Sequence, residues 1–217
     1  MRIAGSTIAG LCLAAVAAQA QVRADREPRL VIARVGMQAQ VAPFNDDRLA
    51  GTGRFSLEPS GVVGLQLSLP VPLPAFSLEV AGTMSTWRDL RAVDRVGQPP
   101  LEDGARARTA SVAASLRFAP ASACLAGVCP YLSAGGIRKW YEFQAMMLVD
   151  DMVVDYAPNQ RQGAFLAAIG ARYHVGRVGL DLELSHSANP IQHWYGGISS
   201  RQSHDLTLSI GTVLRWR

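Results

Sequence analysis

Leu206-Thr207-Leu208-Ser209-Ile210-Gly211-Thr212-Val213-Leu214-Arg215-Trp216-Arg217 is the stretch that decides how this chain folds. Apolar residues recur at every second position: Leu206, Leu208, Ile210, Leu214 and Trp216, with Thr212 the one weak member. Between them stand Thr207, Ser209, Gly211, Val213 and Arg215. A two-residue period puts the two sets on opposite faces of a β-strand. The second face is narrow, made of small side chains and one Arg that reads as buried. A strand leaves its backbone N–H and C=O groups unpaired unless neighbours supply partners, and the rest of the chain repeats the same design.

Seven further segments carry the dyad rhythm. Near Leu30–Val41, Val31, Ala33, Val35, Met37, Ala39 and Val41 oppose Arg34, Gly36, Gln38 and Gln40. Near Val62–Val71, Val63, Leu65, Leu67 and Leu69 oppose Gly64, Gln66 and Ser68. From Phe76 to Trp87, Phe76, Leu78, Val80 and Met84 oppose Ser77, Glu79, Ala81, Thr83 and Ser85. Near Thr109–Phe118, Ala110, Val112, Ala114, Leu116 and Phe118 oppose Ser111, Ala113, Ser115 and Arg117. The fifth segment, Tyr131–Tyr141, has no clear face, because Ser133 to Gly136 are all small. Near Ala164–Val175, Phe165, Ala167, Ile169, Ala171, Tyr173 and Val175 oppose Leu166, Ala168, Gly170, Arg172 and His174. The seventh is the cleanest: Val178, Leu180, Leu182 and Leu184 against Gly179, Asp181, Glu183 and Ser185.

The links alternate. Short ones follow the second, fourth and sixth segments (Pro70 to Pro74, Ala119 to Pro130, Gly176-Arg177), and long ones follow the others. Aromatic residues collect at segment ends: Phe76, Phe118, Tyr131, Tyr173 and Trp216 beside the short links, and Trp87, Trp140, Tyr141 and Phe165 at the opposite ends. Aromatic rings settle at the two membrane–water interfaces, and short turns alternate with long loops in outer-membrane barrels. A soluble exported β-protein would turn Lys, Glu and Thr outward and keep its interior apolar. Here the polar face is rich in Gly, Ala and Ser with a few charges, which suits a narrow lumen. A lipid-facing charge would cost about 2–4 kcal/mol at mid-membrane. The residues therefore predict an all-β fold: an eight-stranded antiparallel up-and-down transmembrane β-barrel with short periplasmic turns and long extracellular loops.

The N-terminus reads as an export signal. Arg2 gives the basic region, Ile8 to Ala18 the apolar run, and Ala18-Gln19-Ala20 the small-x-small cleavage pattern. The run is short for a membrane helix of about 20 residues. Cys12 follows Leu11 rather than a small residue, which sets a lipoprotein reading aside. Residues 1–20 are thus expected to be a signal peptide and 21–217 the barrel domain. The formal charge of +4, with no Lys/Arg block, excludes a nucleic-acid partner as an expectation. Cys124 and Cys129, in Cys124-Leu125-Ala126-Gly127-Val128-Cys129, are expected to form a loop disulfide in an oxidising compartment. That spacing lacks the further ligands a zinc site needs.

The rhythm, the alternating links and segments such as Pro130-Tyr131-Leu132-Ser133-Ala134-Gly135-Gly136 resemble the small eight-stranded outer-membrane barrels. These include the transmembrane domain of outer membrane protein A, outer membrane protein X and the opacity proteins. The resemblance covers nearly all of 21–217 and implies residence in the bacterial outer membrane. It also implies contact with membrane lipid, lipopolysaccharide and the barrel-assembly machinery. Chains of that family typically end on an aromatic residue read by the assembly machinery; here Trp216 is penultimate and Arg217 last.

Three constellations are candidates for function. Arg34, Glu79, Arg117, Arg172, Asp181, Glu183 and Arg215 share the polar face and read as a lumen charge network, with Arg172 across the Gly176-Arg177 turn from Asp181. Buried charges are tolerated only when paired, and eight strands enclose little more than their own side chains. The competing readings are a proton path or a gated pore. His186-Ser187-Ala188-Asn189, with His193 and His204 near, is similar to the lipid A deacylases, whose His and Ser lie two residues apart on one face. Position 188 is Ala and Ser187 faces the other way, so the segment makes no His-activated nucleophile. The third is the loop hairpin Met146-Met147-Leu148-Val149, Asp150-Asp151, Met152-Val153-Val154, an apolar tip that reads as a contact surface on Met146, Met147, Leu148, Val149, Met152 and Val153. The expected role is structural or surface interaction (adhesion or envelope binding, with a surface protein partner not specified by the residues), without cofactor, metal or catalytic residue. The alternatives are a narrow pore for small solutes and a lipid-modifying enzyme such as a lipid A deacylase.

Overall fold

A computed structural model describes residues 29–41, 44–46, 53–94, 106–149, 152–156, 159–190 and 202–216. The expected signal peptide and His193 lie outside the described residues. Eight strands form the barrel: β1 (Arg29–Gln40), β2 (Ser60–Pro70), β3 (Phe76–Ser85), β4 (Arg106–Phe118), β5 (Val128–Val149), β6 (Asn159–Val175), β7 (Val178–Pro190) and β8 (Gln202–Trp216). Each pairs antiparallel with its neighbours in the chain, and β8 returns to pair with β1, from Arg29 opposite Trp216 to Gln40 opposite Asp205. Closure leaves these eight strands no free edge.

The exterior is apolar on every strand. Val35, Leu65, Ile169, Leu182 and Ile210 are each more than half exposed. The interior is polar. Arg88, Arg172, Asp181 and Asp205 stand with Ile32 and Val213 as the largest side chains closed off from solvent. Soluble monomers rarely expose contiguous apolar patches beyond a few hundred Å², whereas this belt runs round the whole barrel. The inversion is what a bilayer demands, because hydrocarbon offers no hydrogen-bond partners and the backbone must satisfy itself by closure. No helix among the described residues is long and apolar enough to cross a membrane.

One end of the barrel is closed by short links. Gly176-Arg177 joins β6 to β7, with Gly176 at φ 63°. The β4–β5 turn holds the Cys124–Cys129 disulfide, whose Cα atoms are 4.2 Å apart. Within it Gly127 takes φ 83° against the Tyr173 ring, where an added Cβ would come within 3.1 Å of the ring, so the position favours glycine twice over.

The other end carries added structure. Phe44–Asp46, Gly53–Leu57 and Arg88–Asp94 pair with one another, and Arg88 continues the ladder onto β4 opposite Ala107. The strands β5 and β6 run beyond the expected Tyr131–Tyr141 and Ala164–Val175 limits. A barrel strand needs about 9–11 residues to cross a membrane, so both project past it. The end of β5 folds into a hairpin with Met152–Tyr156, Met146 opposite Asp155 and Val149 opposite Met152.

Two aromatic assignments are corrected. Phe76 and Phe118 meet on the exterior at 4.9 Å, and Tyr173 and Trp216 are exposed there too. Tyr131 and Tyr141, however, point into the lumen at 2% and 7% exposure. They share the parity of Ser133 and Lys139, also buried, while Leu132 and Arg138 face outward.

Candidate functional site

The lumen contains two polar clusters. The larger lies toward the short turns, because Glu79, Tyr131 and Asp181 sit near the turn-side starts of β3, β5 and β7. Arg117 and Arg172 sit near the turn-side ends of β4 and β6. Register sets Arg172 directly opposite Asp181, and its Nε donates to Oδ2 at 2.6 Å. From β1, Arg34 reaches past β8 to both carboxylates of β7, at 2.8 Å from Asp181 and 2.7 Å from Glu183. It also donates to Ser209 at 3.1 Å. On the far side Arg172 pairs with Glu79 at 3.3 Å, and Arg117 lies 3.5 Å from the same carboxylate.

Tyr131 ties these pairs together. Its hydroxyl lies 2.9 Å from an oxygen of Asp181 and 2.9 Å from one of Glu183. The Arg117 and Arg172 guanidiniums stand over its ring at 5.1 and 5.5 Å, within cation–π range. The ring has room because Gly170 lies opposite it; a Cβ there would collide with the phenol carbon and oxygen. Three guanidiniums (Arg34, Arg117, Arg172) thus meet three carboxylates (Glu79, Asp181, Glu183), so the cluster is balanced in charge. Charge-assisted bonds of this kind are roughly twice as strong as neutral ones. Arg215 stands apart: it is exposed at the turn end, and its backbone N–H donates to the Arg177 carbonyl.

The second cluster lies toward the loop end. Lys139 of β5 donates to Asp205 and to Ser187, each at 2.6 Å, across to β8 and β7. Tyr141 lies 3.3 Å from the same Asp205 oxygen. Arg88, 2% exposed, donates through Nη2 to Thr109 at 2.6 Å, and the Thr109 amide donates to Ser85 at 2.8 Å. Sequence reasoning missed Lys139, Asp205, Arg88 and Tyr131. The signal for Asp205 was parity, two residues before inward Thr207; Lys139 carried no such signal, because its neighbour Arg138 is a cation of the opposite parity.

The segment similar to the deacylases has its two key side chains on opposite faces of the barrel wall. His186 and His204 project outward from β7 and β8, and their ring nitrogens approach to 3.0 Å with the rings stacked. Ser187 is buried in the lumen and receives Lys139. His186 and Ser187 are thus on opposite sides of the barrel wall. No cluster of metal-ligating residues occurs among the described residues.

No protein-family model matches the chain, and no curated protein sequence matches it. Solved structures do. A major outer membrane protein from Thermus thermophilus superposes with a TM-score of 0.54 at 10% identity, covering 88% of this chain and 100% of that one. OprG from Pseudomonas aeruginosa gives 0.53 at 8% identity over 88% and 96%. AlkL, an outer membrane protein solved in lipid bilayers, gives 0.51 at 11% identity over 88% and 90%. At such identities the likeness speaks for the fold: a closed eight-stranded barrel of the outer-membrane kind.

Proposed function

We propose that this chain is an integral outer-membrane barrel with a plugged lumen that acts at the cell surface through its loop end, as a structural or envelope-binding protein. The observation that carries this reading is the turn-side network. It joins side chains of β1, β3, β4, β5, β6, β7 and β8 through the middle of the barrel. A solute path would have to part several charge-assisted bonds at once. Aqueous channels belong to barrels of about 16 strands, and eight enclose roughly their own side chains. With the interior closed, the surfaces left for partners are the lipid-facing belt and the loop end. The hairpin of β5 with Met152–Tyr156 projects there and is the part we assign to contact with a surface partner. Lipopolysaccharide and the barrel-assembly machinery are the envelope partners that belong to this reading. The lipid-modifying reading loses its support because His186 and Ser187 face opposite ways. Planar bilayers holding refolded monomer test the sealed lumen directly: no steady ion current is expected, and reproducible stepwise conductance would move the narrow-pore reading ahead. Deleting 145–156 should abolish surface binding while leaving the barrel folded; unchanged binding would sink the hairpin's assignment.

A further inference from the structure

The loop-side cluster is not balanced as the turn-side one is. Lys139 and Asp205 form an ion pair at 2.6 Å, both almost fully buried. Arg88 is as buried as they are, and its guanidinium makes no ion pair among the described residues. Its Nη2 is held by the neutral hydroxyl of Thr109, while Nε and Nη1 are shielded from solvent without a hydrogen-bond partner among the described residues. Asp205 is the carboxylate whose charge acts on Arg88, and Lys139 already engages it. Two cations therefore share one carboxylate. Each of the other buried lumen cations, Arg34, Arg117, Arg172 and Lys139, has a carboxylate within ion-pair distance. A guanidinium out of water and without a counter-charge is strongly unfavourable.

We infer that Arg88, held by Thr109 in the same cluster as the Lys139–Ser187 contact, forms a binding site at the loop end of the lumen for a small oxyanion, a carboxylate or phosphate group. The chemistry fits. Guanidinium N–H groups match the oxygens of carboxylate and phosphate better than a spherical halide. The hydroxyls of Thr109 and Ser187 are within the same cluster, and the nearby Lys139 ammonium adds positive charge. Asp205 opposes binding by repulsion and so keeps the site weak.

The test uses refolded full-length barrel in detergent, titrated with inorganic phosphate or with acetate against chloride at equal ionic strength. The readout is the thermal unfolding midpoint. A ligand bound only by the folded state raises that midpoint with its concentration. The expected result is a saturable rise with at least one oxyanion, and the comparison of the two says which head group fits. Arg88→Gln should weaken the effect by about tenfold or more, the loss of a charge-assisted contact. Asp205→Asn, which keeps Arg88 intact, should strengthen it. Equal responses to chloride and to both oxyanions would overturn the inference, as would a rise unchanged in Arg88→Gln or no gain in Asp205→Asn. Absence of any oxyanion response, with Arg88→Gln destabilising the protein in plain buffer, would mean the chain supplies its own counter-charge and would overturn it too.

Discussion

Asp181→Ala is the sharpest perturbation of the turn-side network. The Asp181 side chain is wholly buried and receives three groups: Arg34 at 2.8 Å, Arg172 at 2.6 Å and Tyr131 at 2.9 Å. Its loss leaves Arg34 with Glu183 at 2.7 Å, but Arg172 with only Glu79 at 3.3 Å. The cluster then holds three guanidiniums against two carboxylates. Breaking a buried pair by removing one partner costs about 3–5 kcal/mol. The lower end is expected, because each orphaned Arg keeps one carboxylate and water entering the widened lumen would solvate Arg172. Reversible denaturant unfolding in micelles measures the cost. The charge argument makes a second demand. Removing Arg172 as well takes away the stranded cation, so Asp181→Ala/Arg172→Ala should lose clearly less than the sum of the two single changes. Strict additivity, or a single-mutant cost below about 1 kcal/mol, the usual worth of an exposed pair, would refute the reasoning.

Three further outcomes follow from the same geometry. Gly170→Ala drives a methyl into the Tyr131 ring and should cost about 1–3 kcal/mol, as overpacking does; outward Gly136, whose Cβ would meet nothing nearer than 3.9 Å, should accept Ala at little cost in the same unfolding assay. Leu182→Arg places a charge in the exterior belt and should lower stability in bilayers by about 2–4 kcal/mol if it sits near mid-membrane, whereas Val178→Arg at the turn end should cost only about 0–1. Thiol labelling of native protein without reductant should find neither Cys124 nor Cys129, and reduction should lower stability by less than the roughly 2–4 kcal/mol of a typical disulfide, the loop being short; stoichiometric labelling would show the pair free.

The barrel was legible because a membrane strand has to sort its residues completely. In β7 every outward place from Val178 to Leu184 is aliphatic and the inward places hold Gly179, Asp181, Glu183 and Ser185, so parity alone assigns both faces. The fifth strand fails that test for a physical reason. Ser133, Ala134, Gly135 and Gly136 are small on both parities, which removes the contrast and leaves Tyr131 and Tyr141 grouped with the interfacial aromatics. Its cations do not orient it either: Arg138 and Lys139 are adjacent and of opposite parity, and the strand turns Arg138 outward and Lys139 into the lumen. Arg88 is less accessible to this reasoning. It follows the interruption at Thr86-Trp87, where the ladder of β3 ends and parity no longer carries over. Arg215 shows the opposite limit: parity points it inward, but a residue at the mouth of a barrel meets solvent whichever way it points.

The inward charges also bear on register, which the exterior cannot specify. Sliding β7 past β6 by one residue would turn every apolar side chain into the lumen, and the bilayer forbids it. A slide by two restores the faces. Leucines at 180, 182 and 184 are interchangeable to lipid, so the belt would tolerate the shifted barrel nearly as well. The lumen would not. A strand advances about 3.3 Å per residue, so a two-residue slip carries Asp181 roughly 6–7 Å from Arg172 and leaves Gly179 or the longer Glu183 opposite that guanidinium. Gly170, which now makes space for the Tyr131 ring from the neighbouring strand, would face β7 in a different register. The polar cluster is therefore the element that selects one pairing among those the lipid accepts. A protein that turns its apolar surface outward places its specificity in the buried charges.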